Sequence, residues 1–466
     1  MATFSKSTDD HSLESVPHSE RQNWLQLTWN TTGIVTTLIQ IFLGALVTFV
    51  AGIWIGIIAG LVVTVVGALL GWGVGHVAYK TGLASSMLSR QHGFGRKGSA
   101  LVALTFGFMI IGFIALENAL LYKGLLFWLG LEDTLLLQVA VYGGMSVVWI
   151  LLTAFGFQVV ARFSSITLVA FLALLVYMMF DVIHSSGQSW ETVLSFGAQF
   201  PPEALAAMGA DTDMGKFVFC INVLIGSAGA LALIDGDLGR YAKSSKDILV
   251  AAIFGNVFMD IVMLIFGAVI MYAGTERLVE YYVARGMNHE TALQAVLQSP
   301  DSVAAAFVIF AGSLGAVMLF LAQGKAQVLN TYSASLSLTG LADVAFGWRP
   351  GRILFVILAN VLACVMLAGS ILEWVNSFIT ILGVLTTCFA GIIIADYLIV
   401  ARLGSNRSTP EVNWAGVVTV GIGFVLAHYV LKAWVPIEFA TSLIASFVLY
   451  PTLRLVSRKK SLAAAT

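Results

Sequence analysis

Apolar runs of about 20 residues recur along most of this 466-residue chain, and a helix needs a run of that length to cross a lipid bilayer. Only 11% of the residues are charged, against roughly 25% in soluble proteins. Inside lipid, every backbone polar group must be bonded within the protein, so such runs fold as helices. The sequence therefore predicts an all-α polytopic membrane protein, and it excludes a soluble enzyme, a disulfide scaffold and a nucleic-acid binder.

The apolar runs predict twelve transmembrane helices, which we number as spans 1 to 12. Their expected limits are 25–50, 53–79, 100–129, 134–158, 162–184, 215–238, 247–273, 302–330, 352–370, 374–400, 414–433 and 436–455. The chain then divides into a cytoplasmic tail (1–24), spans 1–5 (25–184), an outer loop (185–214), spans 6–10 (215–400), spans 11 and 12 (401–455) and a second cytoplasmic tail (456–466).

The distribution of Lys and Arg predicts the orientation of these spans. With the N-terminus inside, 18 of the 24 cations fall on inner segments and one, Lys325, lies within span 8. The outer loops hold the other five: Lys123, Lys216, Arg277, Arg285 and Lys432. Because cytoplasmic loops carry the excess of positive charge, both termini are predicted to be cytoplasmic, in the cell inner (plasma) membrane.

Glycines indicate where two of the spans are interrupted. Span 1 has Gly44 after the polar Gln40, and span 6 has the run Gly226-Ser227-Ala228-Gly229-Ala230 near its centre. Glycines in membrane helices commonly serve close packing, but these two spans lie five apart. Transporters with inverted repeats place their substrate where two corresponding helices unwind. The sequence therefore predicts breaks in spans 1 and 6.

Catalytic and metal-binding patterns are not found in the sequence. Cys220, Cys364 and Cys388 are far apart, and no Ser/His/Asp or metal-spaced cluster occurs. The expectation is therefore no cofactor, no metal, no enzyme activity and no obligate protein partner. An integral membrane enzyme and a channel remain distant alternatives, of which an enzyme should show convergent catalytic residues and a channel should conduct far faster than a transporter.

Several different short motifs occur between span 2 and span 11. They are Gly82-Leu83, Leu88-Ser89-Arg90, the run Gly93 to Ser99, Asp237 with Arg240 and Tyr241, Asn330 with Tyr332 and Leu336, Ile394 to Tyr397, and Val412-Asn413-Trp414. In these motifs the sequence resembles the nucleobase:cation symporter family 1, specifically its cytosine permease and purine-cytosine permease branch. The resemblance implies a leucine-transporter-type five-plus-five inverted repeat, spans 1–5 mirrored by 6–10, plus two extra helices.

The resemblance also implies which residues bind the substrate. In the family, an aromatic at the position of Phe113 stacks on a flat heterocycle, and the residue one turn later, here Glu117, bonds its edge. Residues at i and i+4 share a helix face, and a carboxylate at membrane depth usually marks a substrate or proton pathway. The further expected contacts are Gln40, Ala228, Gly229, Gln327 and Asn330.

Lys325 occupies an unusual position in span 8. Sodium-coupled relatives use two consecutive hydroxyl residues here as cation ligands, and the corresponding residues are Lys325 and Ala326. An ammonium offers donors and no acceptor, so it cannot bind sodium. The coupling residues are therefore expected to be Lys325 and Glu117, with H+ rather than Na+ as the co-transported cation. A lysine snorkelling to a membrane surface is the alternative.

Together these features predict a secondary active transporter that imports a small planar nitrogen heterocycle, cytosine or a purine base, by alternating access. The expected coupling is to protons, or at least independent of sodium. A vitamin precursor, a hydantoin or a small cationic nitrogen compound is the alternative substrate.

Overall fold

A computed structural model describes residues 14–154, 157–403 and 409–463 of the protein. These residues fold into helices, and their one β contact is an isolated bridge between Gln22 and Ala242. Most of the N-terminal tail and the last three residues lie outside the described residues. The all-α prediction is confirmed.

Within the described residues, nine helices are long and apolar enough to cross a membrane, and a bent pair makes a tenth. The predicted spans 9 and 11 are helices of 17 residues, the lower limit for crossing the hydrocarbon core. The observed limits are Trp24–Val35 with Leu38–Ala51 (span 1), Ile53–Thr81 (2), Gly95–Leu129 (3), Leu135–Ala154 (4), Phe157–Ser186 (5), Asp213–Gly239 (6), Ser245–Ala273 (7), Asp301–Phe346 (8), Arg352–Ala368 (9), Val375–Ala395 continued by Asp396–Val400 (10), Trp414–Val430 (11) and Glu438–Ala463 (12).

Span 1 bends by 66° between its two helices, and the residues at the bend are Thr36 and Thr37. The predicted interruption around Gly44 is therefore wrong in position, because Gln40 and Gly44 both lie in the second helix. Gly44 instead lets span 7 approach, since an added Cβ would lie 2.4 Å from the Cα of Leu264.

Span 6 is continuous from Asp213 to Gly239, so the break predicted at Gly226 to Ala230 does not appear. Its glycines serve packing against span 10. A Cβ on Gly226 would lie 2.4 Å from the backbone oxygen of Ile379, and one on Gly229 would lie 2.3 Å from the Thr386 hydroxyl. The two helices touch at these positions because neither glycine has a side chain.

Span 8 is kinked at Gly312, where φ is 54°, and its helix then continues to Phe346, well past the predicted end at 330. Hydroxyl residues lower the apolarity there, yet they are buried. Ser335 and Thr339 donate hydrogen bonds of 2.7 Å to backbone oxygens of the same helix. Because these hydroxyls are satisfied locally, the helix tolerates them at a depth where the sequence predicts a loop.

The ends of the spans that positive charge predicts to be cytoplasmic are called the inner ends below. There, Arg240 of span 6 is fully buried and donates a 2.8 Å hydrogen bond to the hydroxyl of Tyr332 in span 8. Span 2 packs along span 6, and span 3 along span 8. The contact between Arg240 and Tyr332 joins these two helix pairs on the inner side of the protein.

Candidate functional site

A cavity lies beside the bend of span 1, among spans 1, 3, 6, 7 and 8. The residues that line it are Ile34, Val35, Thr37, Ile39, Gln40, Phe113, Glu117, Ser227, Ala230, Leu231, Ile234, Met259 and Asn330. Its volume is about 40 Å³, which holds a few water molecules but is smaller than a nucleobase. A heterocycle therefore fits only if the surrounding helices move apart.

Phe113 and Glu117 both face this cavity from span 3. They lie one helical turn apart, so they form a single stripe with an aromatic face at one level and a carboxyl group at the next. Phe378 of span 10 packs edge-to-face on Phe113, with ring centroids 6.2 Å apart. The ring of Phe378 also covers Gly112, where an added Cβ would lie 2.2 Å from it.

The carboxyl group of Glu117 is buried, with 1% of the residue exposed. The hydroxyl of Thr37, at the bend of span 1, lies beside it. The Oε2 atom makes no hydrogen bond within the described part of the chain. A hydrogen-bond acceptor that faces a cavity and receives no hydrogen bond from the protein is suited to a ligand that supplies N–H groups.

Gln40, Ser227 and Asn330 add polar atoms to the cavity wall. Gln40 donates a 3.1 Å hydrogen bond from Nε2 to the hydroxyl of Ser227, which joins span 1 to span 6. Asn330 reaches the cavity from span 8 and is 6% exposed. Amide groups both donate and accept, so they can complement the edge of a heterocycle.

Lys325 is buried and donates a 2.6 Å hydrogen bond from Nζ to Oγ1 of Thr36, at the bend of span 1. Thr36 in turn donates to the backbone oxygen of Thr32, at 2.9 Å. The ammonium lies 5.8 Å from the ring centroid of Phe171 in span 5. A positive charge at the C-terminal end of the first half of span 1 is favourable because the unpaired carbonyls there are partially negative.

Lys325 and Glu117 therefore lie on either side of the bend, and each is next to one of its two threonines. No ion pair joins them within the described residues, and Lys325 does not line the cavity. Gln40 contacts Ser227 rather than the lysine. Lys325 thus lies at the bend, whereas the carboxyl group of Glu117 faces the cavity.

Three residues that are expected to contact the substrate do not line this cavity: Gln327, Ala228 and Gly229. Gln327 donates from Nε2 to the backbone oxygen of Ile114 at 3.0 Å and to Asn118 at 2.8 Å, so it holds span 8 to span 3. Ala228 and Gly229 are buried in helix packing, and the cavity is lined by their neighbours Ser227 and Ala230. A side chain's direction around a helix, rather than its place near the centre of the span, decides whether it reaches the cavity.

Three residues at the bend or packed on a cavity-lining side chain were not identified from the sequence: Thr36, Thr37 and Phe378. The two threonines are adjacent within a short segment that also contains Thr31 and Thr32. This density of hydroxyl side chains in an apolar run is a signal that points to the bend. Phe378 has no comparable signal, because phenylalanine is common in membrane helices.

Comparisons with known proteins show the fold. No protein-family model matches the sequence, and no curated protein matches it. Among solved structures, the chain resembles Mhp1, a nucleobase-cation-symport-1 family transporter, in a closed conformation with bromovinylhydantoin bound. The TM-score is 0.72 at 18% identity, over 96% of this chain and 95% of that one.

Two further structures agree with this comparison. The inward-facing conformation of Mhp1 matches with a TM-score of 0.72 at 19% identity, over 96% of this chain and 93% of that one. The substrate-bound, outward-open state of a Na+-coupled sialic acid symporter matches with a TM-score of 0.63 at 14% identity, over 97% and 94% of the two chains. The protein therefore has the leucine-transporter-type fold, as predicted.

Proposed function

We propose that the protein is a secondary transporter that carries a small planar nitrogen heterocycle across the cell inner membrane by alternating access, with both termini cytoplasmic. The observation that carries the proposal is the stripe of Phe113 and Glu117 facing a buried cavity at the bend of span 1. An aromatic face binds a flat ring, and a carboxyl group one turn away accepts hydrogen bonds from the ring's edge. The shared fold with Mhp1 supports a transport role.

The leading substrates are cytosine and amino-bearing purine bases. Glu117 supplies acceptors, so it favours an edge rich in N–H donors over the edge of uracil, where donors and acceptors alternate. A hydantoin is the second candidate, because the neighbour Mhp1 was solved with bromovinylhydantoin bound and a hydantoin ring also carries N–H donors.

Transport is proposed to be independent of sodium. The position at which the resemblance implies a sodium ligand holds Lys325, whose ammonium is bonded to the bend of span 1. A lysine that releases and regains a proton in each cycle makes the protein a proton symporter. A lysine that stays charged makes it a facilitator, and collapse of a pH gradient slows accumulation only in the first case.

A thermal-shift screen on the purified protein tests this function. The ligands are cytosine, adenine, guanine, uracil and hydantoin, each in sodium chloride and in choline chloride. At 100 times its Kd, a true ligand adds about 2.7 kcal/mol to the free energy of unfolding. An amino-bearing base or hydantoin is expected to stabilise the protein equally in both salts. The absence of stabilisation by every planar heterocycle would contradict the proposal.

A further inference from the structure

Spans 2, 6 and 7 meet along a seam that lies behind the cavity wall. Gly67 and Gly71 of span 2 face it from consecutive turns. A Cβ on Gly67 would lie 2.0 Å from Oδ1 of Asn256 in span 7, and one on Gly71 would lie 2.1 Å from Oδ2 of Asp235 in span 6. The amide oxygen and the carboxyl oxygen thus pack directly against the backbone of span 2.

The seam has acceptor atoms without donors. Asp235 and Asn256 are both fully buried. Both carboxyl oxygens of Asp235 and the Oδ1 atom of Asn256 lack a hydrogen-bond partner in the described part of the chain. The amide nitrogen of Asn256 is already engaged, because it donates to the backbone oxygen of Ala252 at 2.8 Å. A carboxylate in this position would be buried at membrane depth without compensation.

The charged groups nearest in sequence to Asp235 have other partners. Asp237 accepts a 2.8 Å hydrogen bond from the backbone N–H of Ser85. Arg240 donates to the hydroxyl of Tyr332 in span 8, on the inner side. Neither group contacts the carboxyl group of Asp235.

The elements packed against span 6 carry further acidic, basic and thiol side chains. Those that the structure describes are His76 and Lys80 on span 2, Arg90 on the short helix Ser85–Gln91, Arg96, Lys97, Glu117 and Lys123 on span 3, Lys246, Asp247 and Asp260 on span 7, Cys388 and Asp396 on span 10, and Glu438 and Arg454 on span 12. No hydrogen bond or ion pair joins any of them to Asp235 within the described residues. Asp260, one turn beyond Asn256, is likewise fully buried without a partner.

We propose that the seam is a proton-binding site in which Asp235, the carboxyl group packed against Gly71, holds the proton. A bound proton removes the charge, so no uncompensated carboxylate is buried at membrane depth. A metal ion does not suit the seam, because the oxygens already touch the backbone of span 2. Within the described residues, no group of three or more His, Cys, Asp or Glu side chains is arranged to hold a metal ion.

The site extends the proposed function, because its position links it to the substrate cavity. Ile234, the residue before Asp235, lines the cavity, and so does Leu231, which lies one turn before Asp235 on span 6. A rotation of span 6 that widens the cavity therefore also changes the contact of Asp235 with span 2. Proton occupancy at the seam and ligand occupancy in the cavity act on the same helix.

Infrared spectroscopy tests the site without any transport substrate, so its outcome is separate from that of the proposed function. The probe is the carbonyl stretch of a protonated carboxylic acid in the full chain at neutral pH, identified by 13C-aspartate labelling of the wild type. Asp235→Asn is expected to remove one labelled component. Asp260→Asn, at the other buried and unpartnered aspartate, is expected to leave that component in place, and so is the exposed control Asp213→Asn.

Three results would overturn the proposal. One is a labelled wild type with no protonated aspartate band at neutral pH, a result that needs no variant to fold. Another is a band that Asp235→Asn leaves intact in folded protein. A band that disappears when sodium replaces choline would also overturn it, because the carboxylate would then bind the metal ion instead of the proton.

Discussion

Spans 1 and 6 correspond to each other in the inverted repeat, yet only span 1 is broken. Span 1 bends by 66° at Thr36 and Thr37, where glycine is absent, whereas span 6 passes straight through Gly226 and Gly229. The bend is accompanied by polar partners, since Lys325 bonds Thr36 and Glu117 lies beside Thr37. In this pair of spans, hydroxyl residues with buried partners mark the break, and glycines mark where two helices touch.

The largest loss of stability is expected from a substitution in span 6, the continuous helix of the pair. Gly226→Leu should prevent folding, because an added Cβ would lie 2.3 Å from Cγ2 and 2.4 Å from the backbone oxygen of Ile379. We expect a cost above the roughly 1–3 kcal/mol that is typical of overpacking. The measurement is the yield and thermal unfolding of purified protein. Gly421→Leu in span 11, where a Cβ meets nothing within 4 Å, is the matched control and should fold normally.

A folded, stable Gly226→Leu protein would show that this glycine faces open space. The comparison between the two spans would then lose its basis, and a break in span 6 would again be possible.

The next largest loss of stability is expected from substitutions at the bend of span 1. Lys325→Met and Thr36→Val each remove one partner of the hydrogen bond between spans 8 and 1 and keep much of the shape. Hydrogen bonds to charged groups contribute about 1.5–3 kcal/mol, so each variant should lose free energy of unfolding on that scale. The double variant should lose less than the sum of the two. Additive losses in the double-mutant cycle would show that the contact does not stabilise the bend.

Lys325→Thr sharpens the same comparison. It places a hydroxyl where the resemblance implies a sodium ligand, so the thermal stability of this variant should rise with sodium while that of the wild type should not. Lys325→Ala, which offers neither a donor nor an acceptor, is the matched control. An equal sodium response in Lys325→Thr and Lys325→Ala would contradict the assignment of this position.

Glu117→Gln tests the cavity side of the bend. Gln keeps the size of the side chain but replaces one acceptor oxygen by a donor, so it should lose a charge-assisted hydrogen bond worth about 1.5–3 kcal/mol. That corresponds to roughly 10- to 150-fold in affinity for the best amino-bearing ligand. Affinity is measured by calorimetry or by thermal shift. Unchanged affinity and unchanged selectivity among the ligands would exclude Glu117 from the ring's edge.

Phe113→Ala should cause the smallest loss of ligand affinity, and the loss should be similar for all planar ligands. The specific part of an aromatic contact contributes about 0.5–1.5 kcal/mol, so every planar ligand should weaken by a similar, several-fold factor. Phe108→Ala is the control, because Phe108 packs on the same Phe378 ring and does not line the cavity. Selective loss of one ligand alone would show that Phe113 does more than stack.

The sequence predicts the spans well because membrane burial depends on apolarity averaged over about 20 residues. It underestimates the length of span 8, because Ser335 and Thr339 are polar residues whose hydroxyls form hydrogen bonds within the helix. The stripe of Phe113 and Glu117 was predictable, since helical spacing alone puts both residues on one face. Both do line the cavity, as do Gln40 and Asn330.

The rest of the site depends on how helices rotate about their axes, which the sequence does not determine. Gln327 and Asn330 are one turn apart in span 8, yet only Asn330 reaches the cavity, because Gln327 bonds span 3. Gly229 and Ala230 are adjacent, yet one packs on span 10 and the other lines the cavity. Lys325 was predicted to stand where a sodium ligand is expected, but Thr36, the residue that accepts its hydrogen bond, was not predicted.

The central claim is that Lys325 at the bend of span 1 replaces a sodium ion in a transporter of planar heterocycles. Uptake into proteoliposomes, with the best ligand of the thermal-shift screen in radiolabelled form, tests it most directly. We expect saturable uptake with the same initial rate in sodium chloride and in choline chloride. Uptake that rises steeply with sodium, or no saturable uptake at all, would contradict the account.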